Sequence, residues 1–174
     1  MKRKLVSSGL IVAMMFGLPL QLARAATYSN GTAIANFTVT LTLNANCSIS
    51  ANPLNFGSNG VLATAINQQS TVAVTCTNTT PYNVGLDAGT VTGSSVASRL
   101  MAGTATGNTS TTVGFQLYQD AGHATLWGNT QGTNTVSGTG TGSAQSIVVY
   151  GQVPAQTTPR PDTYQTTVTA TVYF

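Results

Sequence analysis

The chain has 174 residues, of which 41% are hydrophobic and only 5% charged, with two cysteines and a single histidine. Four of its six Lys and Arg residues fall within residues 1–25; without that segment Arg99 and Arg160 face Asp87, Asp120 and Asp162, so the formal charge changes from +3 to −1 and no Lys or Glu remains. The basic balance thus belongs to residues 1–25 and is no sign of an anionic membrane or of nucleic acid, which is not expected as a partner, and the scarcity of titratable groups leaves little for catalysis or metal binding.

Residues 1–25 read as a cleaved export signal. Lys2, Arg3 and Lys4 precede an apolar run from Leu10 to Leu22, and Ala23-Arg24-Ala25 is a small-x-small cleavage site. No later apolar run approaches the roughly 20 residues that a membrane-spanning helix requires. The remaining 149 of the 174 residues suffice for one domain with a substantial core. Residues 26–45 are expected to be an N-terminal extension and residues 46–174 the domain.

The first periodic segment is 36–44. Phe37, Val39, Leu41 and Leu43 point one way, and Asn36, Thr38, Thr40, Thr42 and Asn44 the other. That alternation predicts a β-strand with an apolar side to bury. Two destinations are open at this point: an ordinary first strand paired in its own domain, or a strand given to a neighbour.

Cys47 and Cys76 form an even pair in an exported chain, which predicts a structural disulfide. It would close a loop of about 30 residues and contribute about 3 kcal/mol, mainly by restricting the unfolded state. No C-x-x-C spacing favours redox chemistry.

Further along, Val72, Val74 and Cys76 share one face of a strand, as do Tyr82, Val84 and Leu86, and then Val113, Phe115 and Leu117. Ile147-Val148-Val149-Tyr150 is a continuous apolar run, expected of a strand covered on both sides. Residues 164–174 alternate to the terminus, with Val168, Ala170, Val172 and Phe174 facing inward. Pro53, Gly57, Gly60 and Thr79-Thr80-Pro81 are turn signals, and Pro159-Arg160-Pro161-Asp162 is a stiff corner. Short strands so punctuated, without any helical stripe, predict an all-β sandwich. Residues 120–143 read as a long loop that Leu126 and Trp127 pin to the body, with 138–143 flexible.

Candidate chemistry is sparse. His123 is expected to be a solvated loop residue, since it lacks the nucleophile and orienting acid of a catalytic set. Asp87 precedes Gly89 and is expected to bond its own turn. The Gly-Thr repeat at 138–142 matches no phosphate-loop spacing. No catalytic, metal or cofactor site is expected.

Cys47-Ser48-Ile49, Pro53-Leu54-Asn55-Phe56-Gly57, Thr71-Val72-Ala73-Val74-Thr75-Cys76-Thr77 and Tyr82-Asn83-Val84-Gly85-Leu86-Asp87-Ala88-Gly89 occur in that order. Arg99-Leu100-Met101, Phe115-Gln116-Leu117-Tyr118, Leu126-Trp127-Gly128, Val149-Tyr150-Gly151-Gln152-Val153-Pro154 and Tyr164-Gln165-Thr166-Thr167-Val168 follow. Together they resemble the spore coat protein U domain family, whose members resemble subunits of archaic (Csu-type) chaperone–usher pili. The Arg160-Pro161-Asp162 corner departs from the small residue and Gly that the family usually places before the Tyr.

The resemblance implies an incomplete immunoglobulin-like sandwich, completed in trans by a donor strand. It places Phe37, Val39, Leu41 and Leu43 as that donor, and Val168, Ala170, Val172 and Phe174 on the last strand beside the open groove, with Phe174 leaving no residues for a further strand. The implied partners are identical or related pilin subunits, a periplasmic chaperone and an outer-membrane usher. The implied location is the cell surface, reached through the periplasm, in a fibre supporting attachment and biofilm formation. A single domain points to a shaft or minor subunit rather than a two-domain adhesin. The competing readings are a secreted carbohydrate- or surface-binding module using the 120–143 loop, with Trp127 and Tyr118 as its aromatics, and a coat-type structural protein.

Overall fold

A computed structural model describes residues 30–174. The expected signal, residues 1–25, and the start of the extension lie outside the described residues. Residues 41–174 form one compact unit and residues 30–40 belong to a separate one.

Among the described residues nine strands follow in chain order: β1 (Cys47–Ala51), β2 (Ile66–Cys76), β3 (Pro81–Leu86), β4 (Arg99–Gly103), β5 (Thr112–Tyr118), β6 (Val136–Thr139), β7 (Ala144–Val153), β8 (Tyr164–Gln165) and β9 (Ala170–Tyr173). One sheet has the order β1-β2-β7-β5-β4-β8 and the other β6-β3-β9. Every named pairing is antiparallel. The long β2–β7 ladder, from Ile66 opposite Val153 to Thr75 opposite Ala144, is the spine of the larger sheet.

Alternation chooses the core. Val72, Val74 and Cys76 of β2, Tyr82, Val84 and Leu86 of β3, and Val113, Phe115 and Leu117 of β5 are all buried, as their period-2 spacing requires. With Trp127, Val149 and Val153 they form one cluster between the sheets. The Cys47–Cys76 disulfide is present and ties β1 to β2 at the residues that pair in the ladder. The architecture is an incomplete immunoglobulin-like sandwich that lacks one strand.

Four local expectations change. Residues 36–44 join no strand, and Phe37, Val39, Leu41 and Leu43 are 80–86% exposed. Alternation supplies an apolar face, but a strand needs a hydrogen-bonding partner to exist as one. The run 147–150 is not covered on both sides: Val149 is buried, whereas Ile147, Val148 and Tyr150 are only half-buried. β7 is central in its sheet, yet among the described residues the outer face of that sheet carries no second layer.

Residues 138–143 are not simply a flexible loop. Gly138 and Thr139 lie in β6, opposite Tyr82 and Pro81. A Cβ at Gly138 would collide with the Tyr82 ring, and one at Gly140 with the Thr77 carbonyl and Cys76. These glycines therefore permit close packing rather than mobility. Finally, 164–174 is two short strands, not one. β8 pairs with β4 in the larger sheet and β9 with β3 in the smaller, and Phe174 is 60% exposed instead of facing inward.

Candidate functional site

The terminal segment carries the features of a site. It crosses from one sheet to the other and forms an edge of each, since β8 ends the larger sheet and β9 the smaller. Among the described residues no strand pairs with the outer side of either. Val168, Ala170 and Val172 are half-buried against the core, together with Ile49 of β1 and Leu54, Phe56, Ile66, Met101 and Tyr164. Apolar side chains thus line an edge whose outer side has no strand partner among the described residues, a combination that templates pairing with another chain.

Beside β8 the surface opens into a cleft of about 750 Å³ between the 54–62 loop and the 158–164 corner, with Ile66, Met101, Val113 and Val153 among its walls. Both sides of the cleft are held. Leu62 N–H donates to Thr158 Oγ1 at 2.8 Å, and Gln156 N–H to the Leu62 carbonyl at 2.9 Å. Phe56 packs edge-on against Phe115, with ring centroids 6.4 Å apart.

The corner before β8 is built on Asp162. Its carboxylate accepts from the Asn108 amide at 2.5 Å, from Ala105 N–H at 3.0 Å and from Thr163 N–H at 2.7 Å. The Asn108 amide and then the Ala105 N–H hold the Asp162 carboxyl below the usual carboxylate range. Asn108 is itself fully buried, and Tyr164 OH donates back to the Arg160 carbonyl at 2.8 Å. The Arg160-Pro161-Asp162 corner therefore has its own hydrogen-bonded frame despite lacking a Gly.

Where the terminal segment passes from β8 to β9, Thr169 is clamped to Asp87, which directly follows β3. Asp87 N–H donates to the Thr169 carbonyl at 3.1 Å, and Thr169 N–H to Asp87 Oδ1 at 2.9 Å. The same Oδ1 accepts from Gly89 N–H at 2.9 Å, the expected turn bond. Behind this clamp lies Arg99, fully buried. Its Nε donates to the Asp87 carbonyl at 2.9 Å, and its Nη2 to the carbonyls of Leu86 at 2.9 Å and Trp127 at 2.6 Å. Burial lowers the Arg99 pKa to about 10, with the nearby Asp87 charge opposing that shift. Trp127 is also fully buried, and its indole N–H donates to the Val84 carbonyl at 2.8 Å. It anchors the 120–143 segment as expected but is withdrawn from any surface-binding role.

Of the residues singled out in the sequence, the structure brings Val168, Ala170 and Val172 to one apolar edge and joins Cys47 to Cys76. Phe37, Val39, Leu41 and Leu43 stand exposed. Arg99, Asn108 and Asp162 had no sequence signal as a framework. The only available hint was an Arg in a chain almost empty of charge, placed at the head of an apolar strand.

The Spore Coat Protein U domain matches residues 33–171. The chain belongs to the Spore Coat Protein U domain family. This Spore Coat Protein U domain is also similar to a chain of the CsuC–CsuE chaperone–tip adhesion subunit pre-assembly complex from the archaic chaperone–usher Csu pili of Acinetobacter baumannii. The identity is 26% and the TM-score 0.55, over 76% of this chain and 40% of that one. The domain thus spans well under half of the matched chain. A second solved structure, the minor tip subunit HdaB of the E. coli Hda pilus, is 17% identical with a TM-score of 0.40, over 73% of this chain and 79% of that one. No curated protein matches. Among the described residues of the Spore Coat Protein U domain, no three His, Cys, Asp or Glu side chains gather as a metal site would require.

Proposed function

We propose that this chain is a structural subunit of a surface fibre of the archaic chaperone–usher type, assembled by donor-strand exchange. In this reading Phe37, Val39, Leu41 and Leu43 of one subunit enter the groove of the next, beside Val168, Ala170, Val172 and Phe174. The observation that carries it is a paired surplus and deficit. The terminal strands offer an unpaired edge above apolar side chains, and residues 36–44 offer an alternating apolar face that is more than three-quarters exposed. The likeness to a chain from a Csu chaperone–subunit complex supports it further.

The physics is that of β-augmentation. A donated strand satisfies the edge through ladder hydrogen bonds and fills the groove with every second side chain. Burying four large apolar residues at about 1.5–3 kcal/mol each supplies on the order of 6–12 kcal/mol before ordering costs. Each subunit both gives and receives, so the contact is head-to-tail and propagates into a fibre unless it closes on itself. Before assembly the edge is an aggregation hazard, which a periplasmic chaperone would cover until an outer-membrane usher exchanges it for a subunit. The product is an extracellular fibre serving attachment and biofilm formation, and the work is mechanical rather than enzymatic.

The test is assembly itself. The secreted chain should form SDS-resistant multimers that dissociate on heating, and a version without residues 26–44 should fold, bind chaperone and fail to polymerise beyond a single acceptor role. Normal polymerisation of the truncated chain would overturn the donor assignment.

A further inference from the structure

The outward-pointing positions of the larger sheet carry an ordered array. In one cross-strand row Tyr118 of β5 lies opposite Tyr150 of β7, which lies opposite Gln69 of β2. In the adjoining row Gln116, Gln152 and Asn67 are matched in the same way. Residues so paired on one face have their side chains in reach of each other. Next to this array is a hollow of about 500 Å³, lined by Asn67, Gln68, Gln69, Ala121, His123 and Tyr150. That volume falls within the range of small-ligand sites.

The turn that closes the hollow is held in a costly shape. His123 has φ of 55°, in the left-handed region, where a non-glycine residue persists only if its surroundings impose it. Asp120 does so. Its carbonyl accepts from His123 N–H at 3.1 Å, and its carboxylate from Ala124 N–H at 3.1 Å and Thr125 N–H at 2.7 Å. The imidazole is thereby set edge-on to the Tyr118 ring, with centroids 5.1 Å apart. Gln152 Nε2 donates to Asn67 Oδ1 at 3.0 Å, which orients the Asn67 carboxamide and leaves its NH₂ group without a partner among the described residues.

We propose that this hollow binds an uncharged saccharide. The chemistry of the lining selects it. Carboxamides both donate to and accept from hydroxyl groups, and Tyr150 and His123 offer ring surface to the C–H face of a pyranose. None of the six lining residues carries a fixed charge, and the Asp120 carboxylate is not among them, so the lining itself offers a charged ligand no counter-charge. The site uses the outer face of the sheet and its closing turn, whereas the donor-strand groove lies along β8 and β9. The two readings therefore fail independently.

The experiment titrates the mature chain with methyl glucoside, methyl galactoside and N-acetylglucosamine, using saturation-transfer NMR for contact and calorimetry for affinity. Glucuronate and glucosamine serve as charged controls. At least one neutral sugar should bind with a millimolar Kd, and more tightly than its charged relative. Tyr150→Ala and Gln69→Ala should each weaken binding about tenfold. His123→Gly, which removes the ring where glycine accepts the backbone shape, should do so by a similar factor. If Tyr150→Ala lowers the melting temperature, the surface variant Gln69→Ala decides. Lack of saturation transfer to all three neutral sugars, equal binding of the charged controls, or unchanged affinity in folded Gln69→Ala overturns the proposal.

Discussion

Residues 36–44 and the second half of β2 carry almost the same text and meet opposite fates. Phe37, Val39, Leu41 and Leu43 alternate with Thr and Asn, and Val72, Val74 and Cys76 alternate with Ala and Thr. The first set is 80–86% exposed, whereas the second is at most 2% exposed. The difference is partnership. β2 has β1 on one side and β7 on the other, with the smaller sheet beneath, and 36–44 has no ladder among the described residues. Period-2 alternation therefore states that a face must be covered, but not by what. The proposed assembly rests on reading the uncovered face of 36–44 as one that another chain covers.

The largest effect is expected where a charge is placed on the uncovered face. Leu41→Asp should abolish or severely weaken multimer formation, because it forfeits about 1.5–3 kcal/mol of burial and adds the cost of burying an unpaired carboxylate. Thr40→Asp, on the opposite side, should change assembly little. SDS gels of unheated fibres measure both, and equal losses would break the comparison.

Within the covered region, Arg99→Met should destabilise the fold by about 3 kcal/mol, since it strips buried carbonyls of Leu86 and Trp127 of their donors. Chemical unfolding measures the loss, and amide exchange at Thr169 should speed up as the Asp87 clamp loosens. A variant as stable as the parent would show that the buried guanidinium is dispensable. Cys47→Ser should cost a similar or slightly smaller amount, about 2–3 kcal/mol, visible as a lower melting temperature. An unchanged melting temperature would mean that β1 needs no tether to β2.

The smallest effect is electrostatic. Hydrogen bonds hold the Asp120 and Asp162 carboxyls below their ordinary value. Their contribution is therefore complete above the unfolded-state value of about 3.9 and is lost as pH falls through the lower folded values. Asp120→Asn and Asp162→Asn should each flatten the fall in melting temperature on the acid side of that range. A fall as steep as the parent's in both variants would assign acid sensitivity elsewhere.

Much of the sandwich was legible because burial on one face of a strand imposes alternation. The inner residues of β2, β3 and β5 could be named from spacing, the Cys47–Cys76 bridge from an even cysteine pair in an exported chain, and the anchoring of Trp127 from the apolar surface it would otherwise expose. β4 and β6 were not legible as strands. β4 opens on a buried Arg, a residue type that spacing does not mark as interior, and β6 is rich in small residues whose role is close approach. The split of 164–174 into β8 and β9 was equally hidden, since a strand can move from one sheet to another without any break in its alternation.

Amino-acid order alone determined the period of β2, β3 and β5, the disulfide pair and the presence of an apolar face at 36–44, because these follow from local geometry and composition. Only the tertiary structure decided which edges stay unpaired, that Arg99 and Asn108 are interior, and that Tyr118, Tyr150 and Gln69 line up across three strands. Those outcomes depend on register and sheet order, which bring together residues as far apart as Leu62 and Thr158, 96 positions along the chain. Hydrogen-bond satisfaction and packing settle such long-range choices jointly, and no window of neighbouring residues contains them.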